Sequence, residues 1–278
     1  MSRAVSIICP YRDAAGFLRG LIANVQQQTH GDWELLLIDD GSVDAGAELA
    51  GSAAAADRRI RALRAPTRPA GTPGGPWWPR NVGLRNASHG LIAFLDADDL
   101  WHPRKLERQL RFHLEGDLDL SVTGYARFHQ GSQRVSSWRC PPLQLDHHRL
   151  LRGNVIPLLT VIVERDCLAE GFRPVPHEDY LLWLDLFAQR DSLAYGCLPE
   201  LLAAYRLHGG NLTARRPSLL SWVYGVHRAH RRSPISTAAG LVAWSTHQIG
   251  TGLRGRLKPL KGTLSEALMA EPPWRLPP

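Results

Sequence analysis

Short apolar runs closed by proline or carboxylates, with helix-period segments between them, constrain this chain more than any other feature. Residues 5–9, 33–38 and 91–95 are almost continuously apolar, as strands hidden on both faces of a sheet must be. Between the first two, residues 16–28 place Phe17, Leu18, Leu21, Ile22 and Val25 at helical spacing. Residues 45–59, rich in alanine, predict a second helix, and 60–63 a short third strand. The order β-α-β-α-β implies right-handed crossovers and a parallel sheet. In such sheets ligands bind beyond the carboxyl ends of the strands. Three strand ends here carry Pro10-Tyr11-Arg12-Asp13, Asp39-Asp40 and Asp96-Ala97-Asp98-Asp99. Topology would bring all three to one rim. Pro10, which cannot continue a central ladder, is expected to end the first strand.

The acidic turn after residue 95 is the densest of these motifs. Carboxylates crowded at a buried strand end are costly without a positive partner, and hard divalent cations prefer oxygen ligands. A Mg²⁺ or Mn²⁺ ion held there would share its coordination with substrate phosphate oxygens. The plainer alternative is an acidic cap on the helix that begins near Pro103. Residues 64–79, dense in proline and glycine with Trp77-Trp78 near the end, predict a long loop. It would serve as a lid, as part of an acceptor site, or as an insertion. A helix over 79–87 follows, with Pro79 suited to its first turn. Arg80 at its start suits a phosphate contact or a solvated surface position.

The second half is less regular. Residues 105–114 predict a helix, 118–128 and 158–164 strands, and 132–146 show no period. His177-Glu178-Asp179 leads into a helix over 180–188, where an acidic residue is also a favourable cap. A last short strand over 201–205 precedes the loop from Arg206 to Asn211, and 219–230 and 237–249 are helix-like.

Of the net charge of +7, the stretch from residue 218 onward carries eight Lys or Arg against two Glu, or +6. The remainder is close to neutral, which argues against nucleic-acid binding by the main domain. Basic clusters with Trp222 and Trp244 predict peripheral docking on anionic lipid, or simply a solvated face. No window approaches the length of a membrane span, and the N-terminal apolar run is too brief for a signal peptide. Four cysteines, far apart and without a CxxC pair, suggest a reducing compartment and no structural zinc. The expected location is cytoplasmic, with the tail reaching the inner face of the membrane.

Taken in order and spacing, Val5-Ser-Ile-Ile-Cys-Pro-Tyr-Arg-Asp13, Glu34-Leu-Leu-Leu-Ile-Asp-Asp-Gly-Ser42, Pro79-Arg-Asn-Val-Gly83, Ala93-Phe-Leu-Asp-Ala-Asp-Asp99, His177-Glu-Asp179 and Tyr205-Arg-Leu-His208 resemble the inverting, non-processive glycosyltransferases of family 2. The resemblance implies a GT-A fold: an α/β, Rossmann-like, mostly parallel mixed sheet flanked by helices. It implies a catalytic domain over 1–214, with a nucleotide-sugar-binding half (1–100) and an acceptor half (101–214), then a basic helical extension over 215–278. Pro10, Tyr11 and Asp13 lie where that family holds the nucleotide base, and Asp39 matches its base contact, with Asp40 beside it. Arg80 matches the basic residue near the donor diphosphate. Asp96, followed by Ala97, resembles the ribose or sugar contact. Asp98 resembles the metal ligand, with Asp99 its neighbour and His208 a late ligand for the metal or diphosphate. Asp179 matches the catalytic base and Glu178 its companion.

These roles fit inversion, in which an acceptor hydroxyl displaces a nucleoside diphosphate in one step. The hydroxyl needs a general base, and the leaving group needs its charge stabilised, for which Mn²⁺ or Mg²⁺ is the implied cofactor. The implied partners are a nucleotide-sugar donor, with UDP the default, and a glycan, lipid-linked or small-molecule acceptor. The Gln-x-x-Arg-Trp motif and membrane helices of the processive synthases are missing from the sequence. Two other readings compete: a catalytically inactive sugar-nucleotide-binding scaffold, and a nucleotidyltransferase, which would want a Gly-rich basic loop where Pro10-Tyr11-Arg12-Asp13 stands.

Overall fold

The structure is a computed structural model that describes residues 3–131, 135–190, 192–208 and 219–231, and single positions at Thr237, Gly240, Val242 and Leu264. The first strands and helices alternate as expected: β1 (Val5–Tyr11), α1 (Ala15–Gln26), β2 (Trp33–Asp39), α2 (Gly46–Ala56), β3 (Ile60–Arg64), α3 (Trp77–Asn86) and β4 (Leu91–Phe94). β1 to β4 lie parallel in the order β3-β2-β1-β4. Every residue of β1, β2 and β4 is buried. Alternate side chains enter two cores, one on each face: Ile8, Leu36, Ile38, Ile92 and Phe94 on one, Ile7, Cys9, Leu35, Leu37 and Leu91 on the other. α1 and α2 cover the second face and α3 the first. α3 sits so close that a Cβ on Gly83 would lie 2.5 Å from Ile8 Cγ2. Only glycine lets that helix down onto the sheet.

The chain then continues through β5 (Leu100–Trp101), α4 (Lys105–Glu115), β6 (Leu120–His129), β7 (Val135–Arg139), α5 (His147–Leu150), β8 (Ile162–Glu164), α6 (Glu178–Gln189), β9 (Tyr195–Leu207) and α7 (Leu219–Arg231). β8 joins β4 antiparallel, and the sheet runs on as β8-β6-β9-β5, with β7 beside β6. The two halves therefore share one sheet.

Several expectations are corrected. Pro10 does not end β1, which runs to Tyr11. Ile8 turns its carbonyl toward β4, accepting from Leu95 N, and Tyr11 turns its own toward β2, accepting from Asp40 N. By alternation Pro10 faces the side on which β4 has already ended, so its missing N–H costs no ladder bond. Trp77 and Trp78 belong to α3 rather than to the loop, and Pro79 still falls in the first turn. The periodless stretch over 132–146 contains β7. Residues 158–160 form a 3₁₀ turn, so the strand there shrinks to β8. The last strand is thirteen residues long. Two-residue β5, which no pattern announced, pairs Leu100 with Ala204 and Trp101 with Ala203. Of the expected helix over 237–249 only Thr237, Gly240 and Val242 are described; the rest of it and the basic clusters beyond Arg231 lie outside the described residues. Among those described, no helix is long and apolar enough to cross a membrane.

Candidate active site

The rim at the carboxyl ends of β1, β2 and β4 gathers the acidic loops as topology requires. Asp13, in the left-handed region at φ 49°, accepts from Val43 N at 2.8 Å, and its own N–H donates to Ser42 Oγ at 3.0 Å. Asp39 is buried and accepts from Ser42 N at 2.8 Å. The loops after β1 and β2 are thus tied into one ledge. Tyr11 forms its floor, with burial and then Asp39 holding the phenol above its usual pKa. Asp40 pairs with Arg68 at 2.9 Å, and its pKa is raised by burial against the pull of Arg68. Arg68 comes from the long loop, which is tied down further by Trp77 Nε1 to Pro73 O and Trp78 Nε1 to Pro66 O. The loop packs over this ledge.

β5 decides what the acidic turn meets. Its antiparallel pairing with β9 sets Asp98 and Asp99 against the end of β9. His208 Nε2 lies 2.6 Å from Asp98 Oδ2, and the ring of Phe17 packs against His208. Burial, then the charge of Asp96, raises the pKa of Asp98, while His208 lowers it. Asp99, expected beside the metal ligand, is 1% exposed and accepts the backbone N–H of Arg206. Its position anchors β9 to the turn. Arg206 Nε also donates to Asp98 O at 2.7 Å. Ala97 is buried between these acids.

Arg80 occupies the centre. It is 5% exposed, and it donates Nη2 to Asp96 Oδ1 at 2.7 Å and Nη1 to Glu178 Oε1. Phe172 lies under the guanidinium. Burial alone would lower the pKa of Arg80, but the two carboxylates hold it above its ordinary value. A guanidinium engaged in this way bridges two acids and is not the solvated surface arginine that was the plainer expectation. Glu178 is pushed up to about 7, first by burial and then, against the pull of Arg80, by Asp179. Arg80 divides its charge between Asp96 and Glu178, with Asp179 close by.

Glu178 and Asp179 open α6 directly after His177, whose φ of 55° turns the chain sharply into the helix. Asp179 is half-buried. Asn154 Nδ2 donates to its Oδ2 at 2.9 Å, and Asn154 Oδ1 accepts from Ile156 N at 3.2 Å, which fixes the side-chain amide. The His177 ring packs on Trp222 of α7 at 5.0 Å.

The donor set at Asp98 and His208 fits a small divalent cation. One carboxylate and one imidazole already converge, and such ions take their remaining ligands from substrate oxygens and water. Among the described residues no group of three or more His, Cys, Asp or Glu gathers that could hold a metal by itself. Sequence reasoning missed Asn154, Arg68 and Phe172, none of which lies in a recognisable motif. Arg206 stood inside one, without a role.

The sequence profile described as glycosyl transferase family 2 matches residues 6–155. The UDP-Glc:alpha-D-GlcNAc-diphosphoundecaprenol beta-1,3-glucosyltransferase WfgD of Escherichia coli is 31% identical over 213 residues, covering 76% of this chain and 80% of that protein. Staphylococcus aureus TarS, solved with UDP-GlcNAc, superposes with a TM-score of 0.65 at 15% identity, over 92% of this chain and 77% of the other. Glucosyl-3-phosphoglycerate synthase of Mycobacterium tuberculosis, solved with Mn²⁺, UDP and glucosyl-3-phosphoglycerate, superposes with a TM-score of 0.58 at 20% identity, over 84% and 81%. The likeness to these two solved enzymes establishes the GT-A fold.

Proposed function

The chain belongs to glycosyl transferase family 2, a glycosyltransferase using a nucleotide sugar, and from that premise we propose that it transfers the sugar of a UDP-sugar, with inversion, to a hydroxyl of a glycan acceptor. One observation carries this reading. Arg80 holds Asp96 of the donor turn with one amine and Glu178, the neighbour of Asp179, with the other. The acids that would bind donor and those that would activate acceptor thereby meet across a single guanidinium.

Asp179 takes the proton of the acceptor hydroxyl as general base. Its orientation comes from Asn154 and from the first turn of α6. Glu178 and Arg80 keep the base beside the anomeric carbon without taking the proton themselves. Asp13, Asp39 and Asp40, with Pro10 and Tyr11, receive the nucleoside; Asp96 and Ala97 receive the ribose or sugar. Asp98 and His208 would hold Mn²⁺ or Mg²⁺, with buried Asp99 supporting them. When bound, such an ion offsets the charge developing on the departing diphosphate. WfgD's name specifies UDP-Glc and a GlcNAc-diphosphoundecaprenol acceptor, which supports a UDP-sugar as donor and a lipid-linked glycan as acceptor. The +6 of the C-terminal stretch supports docking on an anionic membrane face, where such an acceptor would lie.

The test is transfer and thermal shift over UDP-, GDP- and dTDP-sugars with and without Mn²⁺. Stabilisation and turnover with UDP-sugars that are lost on chelation, and lost in Asp98→Asn, are expected. Equal activity in chelator would remove the metal, and preference for GDP-sugars would remove uridine. Co-sedimentation with anionic vesicles should fall when Arg254, Arg256, Lys258 and Lys261 become glutamine. Truncation before α7 is unsuitable, because Val223 and Val226 are buried and the helix packs on α6.

A further inference from the structure

Two of the four cysteines, 57 residues apart in the chain, meet in the fold: Cys140 Sγ lies 3.7 Å from Cys197 Sγ. Their separation in sequence had hidden this. Cys140 follows β7 directly and is half-buried. Cys197 lies in β9 opposite Val122, is 5% exposed, and donates its S–H to Pro141 O at 3.3 Å. Neither thiol belongs to the proposed donor or base machinery. Cys9 and Cys167 are buried elsewhere, and among the hydrogen bonds of the described residues no other sulfur meets a sulfur.

We propose that Cys140 and Cys197 are an oxidisable dithiol, which closes to a disulfide when the protein meets a small-molecule disulfide. The outer thiol acts first. As a thiolate, Cys140 attacks one sulfur of the small disulfide, forming a mixed disulfide and expelling one small thiolate. Cys197 then gives its proton to solvent and attacks Cys140 Sγ, expelling the second small thiolate. The protein loses two electrons and two protons, and the small disulfide leaves as two thiols. The order follows from access. Cys140 is the more exposed of the pair, while Cys197 is buried and its S–H is held by Pro141 O. Burial raises Cys9 well above its ordinary value and Cys167 to about 11. Bringing the sulfurs from 3.7 Å to a bond of about 2 Å asks for side-chain rotation and a small backbone adjustment.

The bond would join two segments that matter to the proposed chemistry. From Cys140 the chain leads through α5 to Asn154, which touches Asp179; from Cys197, β9 leads to Arg206 and Leu207, just before His208. Oxidation would staple the base-supporting segment to the strand that reaches the acidic turn.

The experiment incubates the full-length protein with oxidised glutathione, alkylates remaining thiols, and maps peptides without reduction. A linked peptide containing Cys140 and Cys197 is expected, lower in mass by two hydrogen atoms and reversed by dithiothreitol. Cys9 and Cys167 should stay alkylatable on denaturation. The oxidised form should unfold about 5 °C higher, as a cross-link closing a long loop predicts. Cys140→Ser and Cys197→Ala should each abolish both the linked peptide and the shift. A protein in which both thiols remain free, in which Cys140 stops at the glutathione adduct, or in which either cysteine pairs with another residue overturns the proposal.

Discussion

The nucleotide half and the acceptor half present their acids by different means. Asp13, Asp39, Asp40, Asp96 and Asp98 all lie within four residues of the end of a parallel strand. Short loops tie them to one another, as Asp13 with Val43 and Asp39 with Ser42 show. The strand order alone assembles that ledge. Glu178 and Asp179 instead depend on remote partners: Arg80, 98 residues away, for the first, and Asn154, 25 residues away, for the second. A left-handed His177 and the packing of Trp222 complete the setting. The donor side is built from topology and the base side from packing. Such a base site can be reshaped without disturbing the sheet, and its electrostatics are correspondingly more strained.

The largest effect should come from Asp179→Asn. Loss of the base is expected to lower kcat about 10³-fold while donor affinity, measured by calorimetry, stays intact. Near-wild-type turnover would end the assignment of Asp179 and leave the base side without its central residue. Next comes Arg80→Gln, which strands two acids that share one cation. Denaturant unfolding should show a loss of about 3–5 kcal/mol, the cost of removing one partner from a buried ionic cluster. A change near zero would mean that the two halves hold together without the bridge.

The pH dependence of stability tests the strain directly. Glu178 is raised from 4.5 to about 7 in the folded protein. Its folded state therefore binds the proton more tightly than the unfolded chain does. Its contribution is fully present below about pH 4.5 and is lost as pH rises through about 7. Across that window wild type should lose up to about 3 kcal/mol relative to Glu178→Gln. Parallel curves for the two proteins would remove the raised pKa. The smallest effect belongs to Asn154→Ala, expected to lower kcat roughly tenfold, as loss of one hydrogen bond to a charged group would. The donor KM should not move; a matched rise in it would place Asn154 on the donor side instead.

The same contrast governs what could be read from the chain. The first three strands, their helices and the acidic ends were legible because period and apolar runs report burial directly. The first part of β9 was not, since Gly196, Pro199 and Glu200 read as loop. The structure places Pro199 and Glu200 where the register with β6 slips between Leu198 and Leu201, so that proline owes no ladder bond there. Glu200, buried to 2% exposure, is held by Arg108. β5 is too short to carry a pattern, yet it sets Asp98 beside His208.

By itself, then, the sequence determined which residue types stand at the strand ends, and through the order of elements it brought them to one rim. The motifs also marked Asp179 and His208 for their proposed roles. Only the tertiary structure decided that Arg80 bridges Asp96 and Glu178, that Asn154 steadies Asp179, that Asp99 anchors β9, and that Cys140 meets Cys197. The physical reason is the range of the signal. Hydrophobic period records which face of an element is buried, a local property, whereas a polar side chain's partner is chosen by packing between segments that share no local pattern.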